Sequence, residues 1–348
     1  MIIKMNKFLL ILLLSFMIQF PLFAESISLR VKLWNGSTES LGKADSIKVI
    51  LLRDSMIPLY EQKGISGEFT IPKLDLPEGS PVLLQVSYKS ANYNKMIPPV
   101  PAMRAQTQEV VVYEPTENLD LLKTRSLMQV VREKKSIHVF KIYLLRNETK
   151  PPKSIYAGGL DFYIPEEALD LQGSWTQGNS KMAIPLQFIK ESSGKQRVDR
   201  AVLPGNTEVQ ISYRIPIESE SFQFKDKLFF ESKSGARPIF LKPTDMKVRF
   251  SSDANPERLQ EDIPEGLQAF MVNYSKESFE TTIQMEGGTP VLPVIPNEAR
   301  GIVNGSLIPE WDVALAAVIG FLGFFFVLAL GFDAWKRKQK NDSEKIST

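Results

Sequence analysis

No cysteine occurs in the 348 residues, and there is one histidine, His138. Without thiols the chain forms no disulfide, offers no thiolate ligand and carries no cysteine-linked lipid. A metal site built from several histidines is excluded by count. His138, in the alternating run Ile137-His138-Val139-Phe140-Lys141-Ile142, reads as a surface or edge-strand residue rather than a catalytic base. Neither sign of charge dominates: 42 Lys and Arg stand against 40 Asp and Glu. No basic stripe crosses the region before residue 311, so nothing points to nucleic acid or an acidic polymer.

The motifs of common enzymes are missing as well. Gly36 and Gly42-Lys43 fail the phosphate-loop spacing and have no Ser or Thr after the lysine. Ser192-x-x-Lys195 with Lys233-Ser234-Gly235 lacks the helix start and the S-D-N element of a serine acyl-enzyme. Asp253-x-Asn255-x-Glu257 starts like a calcium loop, but Pro256 interrupts it and no glycine follows in place. Glu166-Glu167, after Pro165, reads as the opening of a helical turn rather than an acid/base pair. The sequence therefore predicts no catalytic residue, no cofactor and no metal.

What is present is a long apolar run. Val313–Phe332 holds twenty residues without a charge, about the number a helix needs to span a ~30 Å hydrocarbon core. Trp311 and Trp335 flank it as interfacial anchors, and Lys336, Arg337, Lys338 and Lys340 follow as a cytoplasmic flank. At the other end, Lys4 and Lys7, the apolar stretch Phe8–Phe20 and Ala24 before Glu25 read as a signal peptide. Leu292-Pro293-Val294-Ile295-Pro296 lacks the Thr-Gly of a sorting signal, so retention by the helix is expected. Export without disulfides points to a bacterial cytoplasmic (inner) membrane, with the bulk of the chain periplasmic and the tail cytoplasmic. Within the helix, Ala316, Gly320 and Gly323 fall on one face and offer lateral helix association.

The region between the two apolar segments reads as short strands. Ile27, Leu29, Val31 and Leu33 alternate with polar residues, and further runs follow at Ile47–Leu52, Ile57–Glu61, Val82–Tyr88 and Thr107–Tyr113. Turn residues separate them at intervals near ten residues. After Glu114–Leu122, Leu127–Arg132 and Ile137–Leu145 form an expected hairpin. Leu160–Ile164, Ile184–Ile189, Val198–Leu203, Val209–Ile215, Phe222–Phe230, Met246–Phe250, Leu267–Tyr274 and Phe279–Met285 continue the pattern. Gly67-x-Phe69-x-Ile71, then Leu76-Pro77-x-Gly79, then Leu84-x-Val86-x-Tyr88 resembles the carboxypeptidase-regulatory-like or collagen-adhesin-B type of Ig-like domain over residues 26–113. The order of parts is similar to a family of single-pass bacterial envelope proteins. That resemblance implies a prealbumin-like β-sandwich fold with the glycine at a turn and the phenylalanine in the core.

The expected fold class is an all-β ectodomain of tandem Ig-like β-sandwiches plus one C-terminal transmembrane α-helix. The expected parts are a signal peptide (1–24), a first sandwich (25–113), a linker (114–122), a second sandwich (123–286), a Pro-rich stalk (287–310), the transmembrane segment (311–335) and a short basic tail (336–348). The expected function is non-enzymatic: the ectodomain binds or scaffolds another envelope protein. The alternative is an adhesin or ligand receptor. Aromatic anchors carry interfaces, so Tyr93, Pro98, Pro99 and Tyr156, in the loops read at 90–106 and 150–158, are the candidate binding residues.

Overall fold

Period-two alternation decides most of the strands, because successive side chains on a strand point to opposite faces. A computed structural model of the chain describes residues 25–77, 79–178, 183–230, 237–260, 263–275 and 279–291. The first eight strands are β1 (Glu25–Asn35), β2 (Ser40–Leu41), β3 (Lys43–Leu52), β4 (Met56–Ser66), β5 (Glu68–Leu76), β6 (Val82–Tyr88), β7 (Ala91–Ile97) and β8 (Gln108–Val112). In β3 the side chains of Ile47, Val49 and Leu51 are buried; in β6 those of Val82, Leu84, Val86 and Tyr88 are. One sheet runs β4-β3-β6-β7. The other places β1 beside β2 and antiparallel to β5, with β8 parallel to β1. Leu29, Leu33, Ile47, Ile71, Leu76 and Leu84 fill one core between them, an arrangement consistent with a β-sandwich. Gly67 has φ +67° at the bend between β4 and β5, a conformation that costs glycine little. Phe69, expected in the core, is only partly buried against it.

The rest of the described chain supplies β9 (Pro115–Thr116), β10 (Leu122–Arg132), β11 (Ser136–Asn147), β12 (Ser154–Ile155), β13 (Leu160–Tyr163), β14 (Leu169–Gln177), β15 (Ala183–Pro185) and β16 (Ile189–Ser192). It continues with β17 (Lys195–Val198), β18 (Gly205–Pro216), β19 (Ser221–Lys227), β20 (Ile239–Pro243), β21 (Met246–Phe250), β22 (Ala254–Leu259), β23 (Leu267–Tyr274) and β24 (Glu280–Gly287). An eight-stranded sheet runs β15-β14-β18-β11-β10-β20-β23-β22, with β10 and β20 parallel. Two three-stranded sheets, β13-β17-β16 and β19-β24-β21, contribute to the same core. Trp175, Tyr213, Phe162, Ile137 and Leu122 are its largest fully buried residues. The hairpin expected around 133–136 is present, with β10 and β11 paired over eleven positions from Leu122↔Asn147 to Arg132↔Ile137.

Several expectations are corrected. Residues 90–106 are not one loop: β7 occupies Ala91–Ile97, and a single helical turn, α1, covers Pro101–Arg104. The Val198–Leu203 run is not a strand; β17 ends at Val198, and only Val202 continues, in an isolated bridge to Ile155. Within residues 114–122, β9 pairs in parallel with β12, and Leu119–Leu121 forms a 3-10 turn. Tyr156, Ala201 and Leu203 pack against the N-terminal core. Every described residue belongs to one compact unit. The start of the expected stalk is also docked: Thr289 N–H donates to Asp245 Oδ2 at 2.7 Å, and Val291 N–H to the Arg132 carbonyl at 2.9 Å.

No helix among the described residues is long and apolar enough to cross a membrane. The expected signal peptide, the remainder of the stalk, the segment Val313–Phe332, its anchors Trp311, Trp335, Lys336, Arg337 and Lys338, and the face Ala316, Gly320 and Gly323 lie outside the described residues.

Candidate functional site

Of the four candidate binding residues, Tyr93 and Tyr156 stand at the seam between the two cores. Tyr93 is not a loop anchor: it lies in β7, is 4 % exposed, and belongs to the N-terminal core. The alternation of Ala91, Tyr93 and Ile97 inward with Asn92 and Asn94 outward places it there. Its hydroxyl accepts from Tyr113 N–H at 3.1 Å and donates to the Tyr113 carbonyl at 3.2 Å. Burial pushes the Tyr93 phenol up to about 12. Tyr156 donates to Asp199 Oδ1 at 2.7 Å, and that bond raises its phenol above the usual value. Pro98 and Pro99 are half-exposed in the segment after β7, and neither lines the crevice described next.

That crevice has a volume of about 320 Å³. Asn94 and Lys95 of β7 and Glu109 and Val111 of β8 form one wall; Gln177, Ile184 and Leu203 come from across the seam. It therefore gathers three strands that, among the described residues, end their sheets or carry a free side: β7, β8 and β15. Gln177 Nε2 is shielded from solvent and has no hydrogen-bond partner among the described residues. The sequence signal for β7 was its period-two pattern. Nothing local in the sequence joins Gln177 or Ile184 to β8, because they meet only through sheet packing.

A larger crevice of about 540 Å³ lies on the eight-stranded sheet, among Lys123, Arg125, Leu144, Arg146 and Glu208. Leu144, one of its lining residues, is 50 % exposed. Two of its cations are already engaged, since Lys123 meets Glu148 at 2.7 Å and Arg146 pairs with the same carboxylate.

Two charged clusters sit deeper. Lys141, in β11, faces the core between Met128 and Ile211 in register. Its Nζ meets Asp226 Oδ1 at 2.5 Å, and Tyr274 donates to Asp226 Oδ2 at 2.6 Å. Burial opposes the lysine's charge, but the adjacent Asp226 more than offsets it and holds the ammonium well above its usual pKa. A lysine kept charged is no nucleophile. The second cluster corrects the reading of His138, which is 7 % exposed in a strand paired on both sides. Its Nδ1 lies 3.4 Å from Glu133 Oε1, and its ring is 3.9 Å from that of Phe140. Burial, reinforced by the Arg214 cation, pulls the imidazole below its usual value, so it is neutral at pH 7. Arg214 Nε in turn donates to Glu133 Oε2 at 3.0 Å and Nη1 to Asp170 Oδ2 at 3.1 Å. These residues line neither crevice. Among the described residues, no group of three or more His, Asp or Glu is placed to hold a metal ion.

No protein-family model matches the chain, and no curated protein matches it. Among solved structures, the M1 zinc metallopeptidase from Deinococcus radiodurans is similar over 47 % of this chain and 42 % of its own, at 8 % identity and a TM-score of 0.26. A mutant of that enzyme bound to a Tyr-Ser-Ala substrate matches over the same shares at 10 % identity and the same score. A two-domain M1 enzyme bound to L-tryptophan covers 56 % of this chain and 51 % of its own, at 10 % identity and 0.26. The chain thus spans about half the length of the chains it matches. A likeness of this size bears on neither fold nor chemistry.

Proposed function

We propose that the chain is a non-enzymatic, membrane-anchored envelope protein whose extracytoplasmic region binds or scaffolds another envelope protein. In this reading the described strands are two Ig-like β-sandwiches in tandem, the first of carboxypeptidase-regulatory-like type. Val313–Phe332 is a single transmembrane helix, and the basic residues Lys336–Lys338 hold the tail in the cytoplasm. The observation that carries the reading is the crevice at the seam, where three strands with sides unoccupied among the described residues meet. Strand edges with free main-chain groups are the natural place for a second polypeptide to add.

The test is crosslinking in intact cells, followed by detergent extraction, capture on a carboxy-terminal tag and mass spectrometry. A membrane-associated partner recovered with the full chain is the expected result. A chain that emerges alone and monodisperse would overturn the reading and put an adhesin or receptor role in its place.

A further inference from the structure

The outer edge of β8 carries main-chain groups whose orientation can be read from its pairing. β8 runs parallel to β1 and, among the described residues, has no strand on its other side. In a parallel pair, both main-chain groups of a residue point to the same side, and the side alternates along the strand. Gly36 N–H donates to the Val112 carbonyl at 2.9 Å, so Gln108, Val110 and Val112 face β1. Glu109, Val111 and Tyr113 therefore turn their N–H and C=O outward. The two ends of this outward row are occupied. Tyr113 exchanges both bonds with the Tyr93 hydroxyl, and the Glu109 carbonyl accepts from Lys95 Nζ at 3.1 Å. Between them, the Val111 N–H and C=O have no partner among the described residues.

We propose that the crevice binds an extended peptide segment of another protein, which adds as a strand to β8 and exchanges two hydrogen bonds with Val111. This rests on the binding reading above and supplies the chemistry of the partner. A donor and an acceptor side by side on one residue is the pattern a peptide backbone complements. With the outward groups of Glu109 and Tyr113 occupied, the free edge is Val110–Val112, so the paired segment is about three residues long. Tyr93 and Lys95 close its ends and fix its register. An apolar side chain of the segment seats against Ile184, Leu203 and Pro204, which line the crevice. Gln177 Nε2, shielded and without a partner among the described residues, is placed to donate to a carbonyl of the segment.

The test uses the full chain in intact cells with a photo-crosslinking residue in place of Asn94, exposed at the crevice, or of Ile57, exposed on β4 at the far side of its sheet. The cross-linked partner segment is sequenced, synthesised with and without N-methylation, and titrated onto the full chain in nanodiscs. Crosslinking through Asn94 and not Ile57 is expected, with slowed amide exchange at Val111. N-methylation of the paired residue, or Ile184→Lys with unchanged melting, is expected to weaken binding by about tenfold or more. If Ile184→Lys fails to fold, the N-methylated peptide alone decides. A partner reached only through Ile57, or a segment that binds without protecting Val111, overturns this inference and leaves the binding reading intact. No partner at either position overturns both.

Discussion

The N-terminal core is filled by Leu29, Leu33, Ile47 and Leu84, with Asn35, Ser80, Arg104 and Gln108 the buried polar residues of that region, whereas the larger one buries two lysines, Lys141 and Lys242, together with Asp226 and three threonines, Thr124, Thr207 and Thr281. The difference lies in what closes each core. Between the two N-terminal sheets alternation supplies apolar side chains, and the buried Arg104 guanidinium is met by a main-chain acceptor, donating to the Ser80 carbonyl at 2.7 Å. The larger core is closed by several short sheets and loops, and Lys141 and Asp226 meet where β11 faces β19. An apolar core fails gradually as volume is removed. A core with a buried ion pair fails asymmetrically, because removing one partner strands the other charge.

Breaking that asymmetry is the largest effect expected. Lys141→Met or Asp226→Leu alone should cost about 3–5 kcal/mol in denaturant unfolding, and the double replacement should recover most of the loss. Singles and double of equal stability would remove the pair's role. In the N-terminal core, Leu84→Ala should cost about 2–5 kcal/mol through lost burial and the cavity left behind, with no rescue available from a second site.

Smaller contrasts sharpen the comparison at turns and in acid. Gly194 has φ +67°, and a Cβ there would lie 2.5 Å from the Tyr163 ring. Gly194→Ala should cost about 1–3 kcal/mol. Gly158→Ala, also at positive φ but with open space around it, should cost no more than about 1–2 kcal/mol. Acid should weaken both regions. Glu114 is held below the usual carboxylate range, first by Lys89 and then by Tyr88 and Asn35. Glu133 is held low despite its burial, by Ser136 and Arg214. Depressed carboxyls contribute stability that is complete above the unfolded value near 4.5 and is lost as pH falls through the lower folded values. His138 acts in the same direction from the ordinary imidazole value of 6.5 downwards. Melting temperature should therefore fall steadily as pH is lowered from 7 to 3. Glu114→Gln and Glu133→Gln should each flatten part of that fall, measured by thermal scans across pH.

The strands were largely legible because their burial is periodic: the expected Val82–Tyr88 run coincides with β6, and the 127–145 hairpin lies within β10 and β11. β7 was hidden because Asn92, Asn94 and Lys95 made Ala91–Ile97 resemble a polar loop. β14 was missed because Asp170, Gln172, Gly173 and Ser174 break the apolar period, and its ladder has a bulge between Leu169 and Gln172. Tyr93, expected in an exposed loop, lies in β7 with its side chain buried. The partners of Lys141 and the far wall of the crevice could not be read from sequence at all. Asp226 lies 85 positions from Lys141, and Ile184 reaches Val111 only through the packing of separate sheets.

The most direct measurement of the account is the stoichiometry of what the tagged full chain carries out of the membrane, read by mass photometry after mild solubilisation. A defined complex with a second protein at a fixed ratio, weakened by Ile184→Lys, is the expected result. A particle with the mass of this chain alone, at every protein level and in every detergent tried, would contradict it.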